Sequence, residues 1–535
     1  MTLLTLPLMK FYLNPQQFLI QIMISKTKII YSLLTTGFIA ATNAADIEMN
    51  LNSSSTFPGN LSETSAYLEN GAPYTGAIDS STNITLNAQF DSVPGNDIAS
   101  VSSNITAGDF TYNMNLPKSF WGKTMLSLSE NYTFSVDNFC FNIIESATTH
   151  PILTFYMNSG SNLKVRGDFL YTDSRSLKDW YQTRLTLSGS GSFNVDGNMT
   201  IDSKPTAALS NNLDAVFLEL NVTNFNVGGA LTLQNIRGDE NIIMITGTAN
   251  TSYSRSFGGL RVSQNGMIIM RGTPTAPITT NIFLTNTTVS EYIGGLLSRE
   301  VEGVVADNKL NISMTANSPS GRQIMRFNST NNWTMDNVRY LDSPNSLGEV
   351  EVSNGRLDIG MYDGMKGGKL MLNGYNGASN AIFSATGILS GTENGKVVFD
   401  SMEFSRGTIV FDLAEEKEFG DFIQINGAAT RTSDTAELIF DINISAYDLE
   451  SWLSASQEDE WNVDLMSFST SESNLTADDI TLKLQDGVFG KLSITDLDGI
   501  STITASLTTV PEPAEIAALF GLAALFFAWR KRSKK

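Results

Sequence analysis

The sequence predicts an all-β protein whose body is a right-handed parallel β-helix, or β-solenoid, with irregular loops, flanked by an N-terminal signal helix and a C-terminal transmembrane helix. Alternation of apolar and polar residues dominates, and no long stretch has the roughly 3.6-residue period of a helix. Apolar residues make up 41% of the chain and charged residues only 17%, which suits many short strands with uncharged polar faces. A nine-residue phrase also recurs along the chain.

This phrase has apolar residues at places one, three, seven and nine and Gly at place five. It occurs as Phe193–Ile201 (FNVDGNMTI), Phe225–Leu233 (FNVGGALTL) and Leu163–Tyr171 (LKVRGDFLY). Phe134–Asn142 fits it less well, with Asn138 in place of the glycine. The four phrases begin 29, 30 and 32 residues apart. Such a spacing predicts stacked turns of a solenoid.

The apolar places would point to one face of each strand, while Gly or Asn at place five would permit a bend with positive φ. A unit this small cannot bury its own apolar face, so successive units have to stack. We assign residues 45–405 to this body. A set of antiparallel β-sandwiches is the alternative architecture. Later pieces of the pattern are Leu260–Val262, Trp333–Asn337 and Val350–Gly355.

Residues 406–508 form a second predicted segment of strands with one short helix. The helix is expected at residues 446–456, as a cap over the end of the stack, where uncovered strand edges would be exposed. The strands of this segment, together with Gly367–Gly374, resemble those of autotransporter passengers, which implies a β-helical body. The strands are Gly407–Leu413, Asp421–Gly427, Ala436–Phe440 and Val463–Phe468.

Residues 1–44 have the parts of a secretory signal peptide. Lys26 and Lys28 precede an apolar run over residues 29–41, and Thr42 and Ala44 form a small-residue cleavage site. We expect cleavage after Ala44, translation to start at Met23, and Sec machinery and signal peptidase as partners.

Residues 509–535 form the other terminal segment. Val510, Pro511, Glu512 and Pro513 precede an apolar stretch over residues 516–529, which as a helix would be about 21 Å long, a marginal membrane span. The basic end should stay cytoplasmic. The expected span residues are Ile516, Leu519, Phe520, Leu522, Leu525, Phe526, Phe527 and Trp529, and the basic stop is Arg530, Lys531, Arg532, Lys534 and Lys535.

This three-part end resembles the PEP-CTERM sorting signal of Gram-negative bacteria, over about the last 26 residues. The resemblance implies processing beside Pro511, Glu512 and Pro513 by an exosortase, a transpeptidase-like membrane enzyme. It also implies transient anchoring in the inner membrane, then a place on the cell surface, the outer membrane or the extracellular matrix, often near exopolysaccharide. A plain anchor that is never cut is the alternative.

Charge and residue counts exclude several kinds of site. The formal net charge is −21, so a nucleic acid is not an expected partner. Cys140 is the only cysteine and His150 the only histidine, which excludes disulfides within the chain and zinc sites built from several Cys or His. We expect a buried thiol at Cys140, an exposed loop at His150, an ordinary turn at Asp496–Gly499, and neither cofactor nor metal.

The expected function is therefore a non-catalytic structural or adhesive role at the cell surface or in the extracellular matrix. The alternative is a secreted polysaccharide-active enzyme or carbohydrate-binding module on a β-helix, with acids paired across neighbouring turns and Trp180, Tyr181 or Trp333 in a sugar groove. A passive filler without a specific ligand is the third reading. The sequence singles out no catalytic residue.

Overall fold

The computed structural model describes residues 45–51, 59–89, 97–116, 123–146, 152–174, 181–203, 214–235, 240–246, 254–318, 320–330, 332–335, 337–375, 380–387, 395–413, 421–509, 521, 523–526 and 529–530. Over these residues the chain is mostly strand and forms a parallel β-solenoid. The predicted all-β parallel solenoid is thus confirmed. The alternative of antiparallel sandwiches is wrong, because the long ladders pair in parallel.

The strands are β1 Ala45–Leu51, β2 Gly59–Asn60, β3 Leu68–Glu69, β4 Ala72–Pro73, β5 Thr82–Gln89, β6 Asp97–Val101, β7 Ile105–Thr106, β8 Phe110–Leu116, β9 Lys123–Leu128, β10 Thr133–Val136, β11 Phe139–Ser146, β12 Ile152–Met157, β13 Asn162–Val165, β14 Phe169–Asp173, β15 Tyr181–Val195, β16 Met199–Ser203, β17 Asp214–Asn235, β18 Glu240–Ile245, β19 Ser254–Met270, β20 Thr279–Leu284, β21 Val289–Val301, β22 Val304–Val305, β23 Lys309–Thr315, β24 Arg322–Phe327, β25 Asn332–Met335, β26 Val338–Asp342, β27 Leu347–Met361, β28 Gly367–Asn373, β29 Ala381–Ala385, β30 Lys396–Asp412, β31 Phe422–Ile425, β32 Ala429–Arg431, β33 Glu437–Asn443, β34 Trp461–Ser469, β35 Ile480–Lys483, β36 Phe489–Leu497 and β37 Ile500–Thr508. The helix α1 is Ala446–Ser456, and short 3₁₀ turns cover Thr64–Ala66 and Ala477–Asp479.

Three ladders of parallel strands run along the solenoid. The first passes from β5 through β8, β11, β14, β16, β17 and β19 to β21, then through β24, β27, β29, β30 and β33 to β35. The second runs from β7 to β32, and the third from β2 to β21. Long strands such as β17 and β27 contribute to more than one ladder, so the chain passes from face to face at its bends.

The recurring phrase forms equivalent positions on consecutive turns. Phe193 lies opposite Phe225, and Ile201 lies opposite Leu233. Leu163 and Tyr171 occupy the same two places one turn earlier. The sequence repeat is therefore the structural repeat, and its apolar places are buried.

The earliest phrase is offset by one residue from the predicted alignment. Phe139 lies opposite Phe169, and Cys140 lies opposite Leu170. Phe139 and Phe141 are buried, whereas Cys140 is only partly buried on the outer side. The predicted fully buried thiol is wrong because this turn has one residue fewer at its bend, which moves each following side chain to the other face.

The glycines at place five do not adopt positive φ, contrary to the sequence-based expectation. They are required by the close approach of neighbouring turns. A Cβ on Gly197 would lie 2.6 Å from the Gly167 carbonyl oxygen, and one on Gly229 would lie 2.7 Å from the Gly197 carbonyl oxygen. Since these atoms belong to the backbone, they cannot rotate away.

An Asn/Asp ladder joins the turns beside these glycines. Each side-chain oxygen accepts a hydrogen bond from the next turn: Asn138 Nδ2 donates to Asp109 Oδ1 at 2.8 Å, and the Asp168 amide donates to Asn138 Oδ1 at 2.9 Å. The Asn198 amide continues the ladder at 2.7 Å from Asp168 Oδ1, and the Ala230 amide follows at 3.0 Å from Asn198 Oδ1. Asn138 therefore corresponds to Asp168 and does not replace a glycine.

Aromatic rings fill the interior of these turns. Phe139 stacks on Phe169 with 5.0 Å between ring centroids, and Phe193 stacks on Phe225 with 5.7 Å. Stacked contacts of this kind add to the free energy gained by burying the rings.

Short antiparallel pairs join β1, β3 and β4, and β21 with β22, and two larger regions also depart from parallel stacking. The predicted repeat piece at Trp333 is wrong, because β25 and β26 form an antiparallel hairpin that packs on the outer surface of the solenoid through Phe217. At the far end, β34, β36 and β37 are antiparallel, and Asp498 and Gly499 form the turn between β36 and β37 with positive φ, as predicted for an ordinary turn.

The predicted helix at residues 446–456 is confirmed. Ser445 caps its first turn by accepting from the Asp448 amide, and Gln457 ends it with a φ of 59°. Leu449 and Leu453 are buried, and Trp452 stacks on Trp461 at 5.1 Å.

We predict that Gly197→Ala lowers the free energy of unfolding by about 1–3 kcal/mol, because the new methyl group overlaps backbone atoms of the preceding turn. Asp196→Ala is the matched control: its side chain is exposed in the same bend, and we expect a change within about 0.5 kcal/mol. Urea unfolding of both variants would test this, and equal stabilities would contradict the close-packing account.

Candidate functional site

Charged side chains concentrate on the outer surface of β24, β27 and β30. In-register pairing places Arg322 beside Arg356 and Ile324 beside Asp358, so outward side chains of successive turns lie next to each other. We call these residues the Asp358 cluster. Its members are Glu291, Arg322, Arg326, Arg356, Asp358, Asp412 and Asp421.

Asp358 is at the centre of this cluster and its side chain is only 1% exposed. Arg356 Nε lies 2.6 Å from Asp358 Oδ1, and Arg322 Nε lies 2.7 Å from Asp358 Oδ2. Arg356 also approaches Asp412, with 3.5 Å between Nη2 and Oδ2. The buried carboxylate thus has the partners that burial of a charge requires.

Arg326 joins the cluster to its surroundings. It forms an ion pair with Glu291 of the preceding turn and donates from Nε to the Gly387 carbonyl oxygen at 2.9 Å. The cluster therefore spans several turns, from β21 to the residue before β31.

Within the Asp358 cluster, Asp421 is the second deeply buried acid, after Asp358. Its Oδ1 accepts from the Gly395 amide and its Oδ2 from the Asp412 amide, both at 2.8 Å. Burial, followed by the negative charges of Asp412 and Asp358, raises the pKa of Asp421 to about 7, against the lowering effect of the two amides. Gly395 precedes β30 and Asp412 ends it, so this carboxyl fastens the two ends of one strand.

A carboxyl that titrates near neutral pH beside a second acid is what general acid–base chemistry requires. However, Asp421 is only 2% exposed, and both of its oxygens are occupied by backbone amides. A substrate has no approach to these atoms in this arrangement. The geometry therefore fits a structural role for Asp421.

An open groove of about 460 Å³ adjoins the cluster. Two of its lining residues hydrogen-bond to members of the cluster: Thr386 Oγ1 accepts from Arg326 at 3.4 Å, and the Gly395 amide donates to Asp421. Its polar lining includes Tyr362, Asp363, Lys366, Lys396, Gln424 and Asn426. We call it the Lys366–Lys396 groove.

Most residues of the two terminal segments lie outside the described part of the chain. This applies to the cleavage residues Thr42 and Ala44, to Val510, Pro511, Glu512 and Pro513, and to Ile516, Leu519, Phe520, Leu522, Phe527, Lys531, Arg532, Lys534 and Lys535. Leu525, Phe526, Trp529 and Arg530 are described, and each is helical and exposed. No helix in the described ranges has the length and apolar character needed to cross a membrane.

Of the histidine and the aromatic residues that the sequence suggested for a sugar groove, only Trp333 has a described side chain, and it is not among the residues that line the Lys366–Lys396 groove. Trp333 donates from Nε1 to Glu240 Oε2 at 3.0 Å and stacks near Tyr340, so its ring packs within the hairpin region. His150 and Trp180, and the side chain of Tyr181, lie outside what the structure describes. In the described ranges, no group of three His, Cys, Asp or Glu residues is arranged to hold a metal ion.

Sequence reasoning identified no pair of acids and missed both the cluster and the groove. Their residues are separated by tens of positions and meet only through the register of stacked turns. One signal was present in the sequence: Lys366 belongs to a Gly-rich stretch over residues 360–369. No protein-family model matches the chain, and a comparison with curated proteins finds no match.

We predict a pH dependence of stability that comes from Asp421. Its pKa in the folded protein, about 7, lies above the unfolded value near 4, so the folded state holds this proton more tightly. The stabilisation that protonated Asp421 contributes to the folded state is complete below about pH 4 and is lost as the pH rises through about 7. Over that range the free energy of unfolding falls by up to about 1.4 kcal/mol per pH unit.

Urea unfolding of the wild type and Asp421→Ser across this range would measure the effect. The stability advantage of the wild type should shrink as the pH rises, while Asp434→Ser, a change in an exposed turn, should leave the wild-type profile unchanged. Parallel profiles for the wild type and Asp421→Ser would contradict the assignment.

Proposed function

We propose that this protein is an exported structural or adhesive component of the cell surface or extracellular matrix, sorted and processed at its C-terminus by an exosortase-type enzyme. The observation that carries the structural part is the solenoid itself, an extended stack in which each turn supports the next. The proposed cellular location rests on the sequence, through the predicted signal peptide at residues 1–44 and the predicted sorting segment at residues 509–535.

Several finer features belong to this proposal. They are cleavage after Ala44, a transmembrane helix from Ile516 to Trp529, and removal of that helix near Pro513. The coil is right-handed, because crossovers between parallel strands of one sheet are right-handed in nearly all proteins. The described strands after β30 belong to the same exported body.

The acids of the Asp358 cluster support a non-catalytic role. Asp358 is enclosed by Arg322 and Arg356, and Asp421 is bonded to backbone amides. Each of these two buried carboxyl groups therefore has hydrogen-bonding partners within the protein, so its burial is explained without a catalytic role.

The second candidate is a polysaccharide-active enzyme on the same scaffold, which the open groove lined by Asp363 favours. Incubating the full chain with a panel of polyuronates and neutral glycans would separate the two. We expect no turnover. Catalysis that Asp363→Asn abolishes would establish the enzyme instead, because Asp363 is the acid that lines the groove.

We predict that processing requires the Pro-Glu-Pro motif. Mass spectrometry of the surface fraction should find a C-terminus at or near Pro513 in the wild type. Replacing Pro511, Glu512 and Pro513 by alanine should leave an uncut chain ending at Lys535 in the inner membrane.

Glu515→Ala is the matched control, since it removes a neighbouring acid outside the motif and should be processed normally. Wild-type surface protein that still carries Lys535 would refute sorting by cleavage. Normal processing of the triple-alanine variant would refute recognition of the motif.

A further inference from the structure

We propose that the Lys366–Lys396 groove binds a carboxylated sugar, a uronate unit of an acidic polysaccharide. This inference rests on the proposed function, because an exported surface rod meets such polymers in the matrix. It assigns the contact to one place on the solenoid.

The groove is built by three neighbouring levels of the stack. Lys366 lies in the turn between β27 and β28, Lys396 begins β30, and Gln424 lies on β31. Gly367 pairs with Phe399 and Val398 pairs with Gln424, so these levels are adjacent at the strand spacing of about 4.8 Å. A volume of about 460 Å³ is within the usual range for small-molecule sites, roughly 300–1,000 Å³.

The turn that carries Lys366 has a defined conformation. Gly364 has a φ of +87°, the Met365 amide donates to the Tyr362 carbonyl oxygen at 3.0 Å, and the Lys366 amide donates to the Pro344 carbonyl oxygen at 2.8 Å. The backbone therefore holds the Lys366 side chain at one edge of the groove.

Two lysines, Lys366 and Lys396, line the groove in a protein whose formal net charge is −21. Lys396 is exposed. Lys366 Nζ lies 3.0 Å from Asp400 Oδ1, but both side chains are substantially exposed, so this ion pair is weak and can admit a second anion. Asp363 also lines the groove. Because Asp363 and Asp400 offset much of the charge of the two lysines, the groove favours a singly charged ligand over a multiply charged phosphate ester.

Uncharged groups supply the hydrogen bonds that sugar hydroxyls require. Gln424 Nε2 donates to Asn426 Oδ1 at 2.9 Å, which leaves the Gln424 carbonyl oxygen and the Asn426 amino group to act as acceptor and donor. The hydroxyls of a sugar can donate to the Gln424 side-chain oxygen and accept from the Asn426 amino group, whereas a simple inorganic anion without hydroxyls can only accept.

Calorimetry on the full chain in mild detergent tests this with two oligosaccharides of equal length, a galacturonate tetramer and a neutral glucose tetramer. The galacturonate tetramer should bind at least about tenfold more tightly, and its affinity should fall with added salt. Lys366→Gln or Lys396→Gln should each weaken binding about tenfold or more, because each removes a charge-assisted hydrogen bond.

Lys369→Gln is the matched control. It removes the same charge three residues from Lys366, but Lys369 pairs with Glu403 outside the groove. The affinity of this variant for the galacturonate tetramer should stay within about twofold of the wild-type value. Thermal melts would establish that each variant is folded. Equal affinity for both tetramers, no binding, or the same loss in Lys369→Gln would overturn the proposal.

The outcome is separable from that of the proposed function. Uronate binding by a protein that cell fractionation finds inside the cell would uphold the groove and refute the surface role. A surface protein that binds neither tetramer would uphold the role and refute the groove.

Discussion

Each turn of this protein has to lie directly on its neighbour at the strand spacing of about 4.8 Å, and this contact of backbone with backbone is the constraint on which the remaining structure depends. At the bends it leaves no room for a Cβ, which is why Gly167, Gly197 and Gly229 recur. The Asn/Asp ladder beside them satisfies amide groups that the bend would otherwise leave unpaired. Inside, the same stacking brings the phenylalanine rings together.

The constraint also explains the composition of the outer faces. Stacking places equivalent outward residues side by side, and like charges in that position repel. Amides avoid this conflict because each can donate to one neighbour and accept from the other. Asn113 Nδ2 donates to Asn87 Oδ1, and Asn142 Nδ2 donates to Asn113 Oδ1, both at 3.0 Å. A charged fraction of only 17% follows from this geometry.

The Asp358 cluster is where the outer face departs from that pattern. Charges are stacked there, and Arg322 lies beside Arg356, but both arginines donate to Asp358, and backbone amides donate to Asp421. Through Asp421, the cluster joins the residue before β30, Gly395, to the last residue of β30, Asp412. We call this place the corner of β30. The groove opens next to this corner, where lysines, amides and a tyrosine from three levels meet. A stacked framework with a polar recess at this corner supports the proposed binding of a matrix polymer.

The sequence alone determined the class of fold, because burial and stacking act through local, periodic patterns: the apolar places of the phrase, its period and the short helix at 446–456 can all be read from neighbouring residues. It also carries the terminal segments, whose signals are linear. Three local readings were wrong, at Cys140, at the place-five glycines and at Trp333, whose strand belongs to an antiparallel hairpin. One missing residue reverses the faces of a strand, and the need for Gly comes from the adjacent turn. Only the tertiary structure decided the site, because Arg322, Asp358 and Asp421, or Lys366 and Lys396, meet through the register between turns, which no short stretch of sequence records.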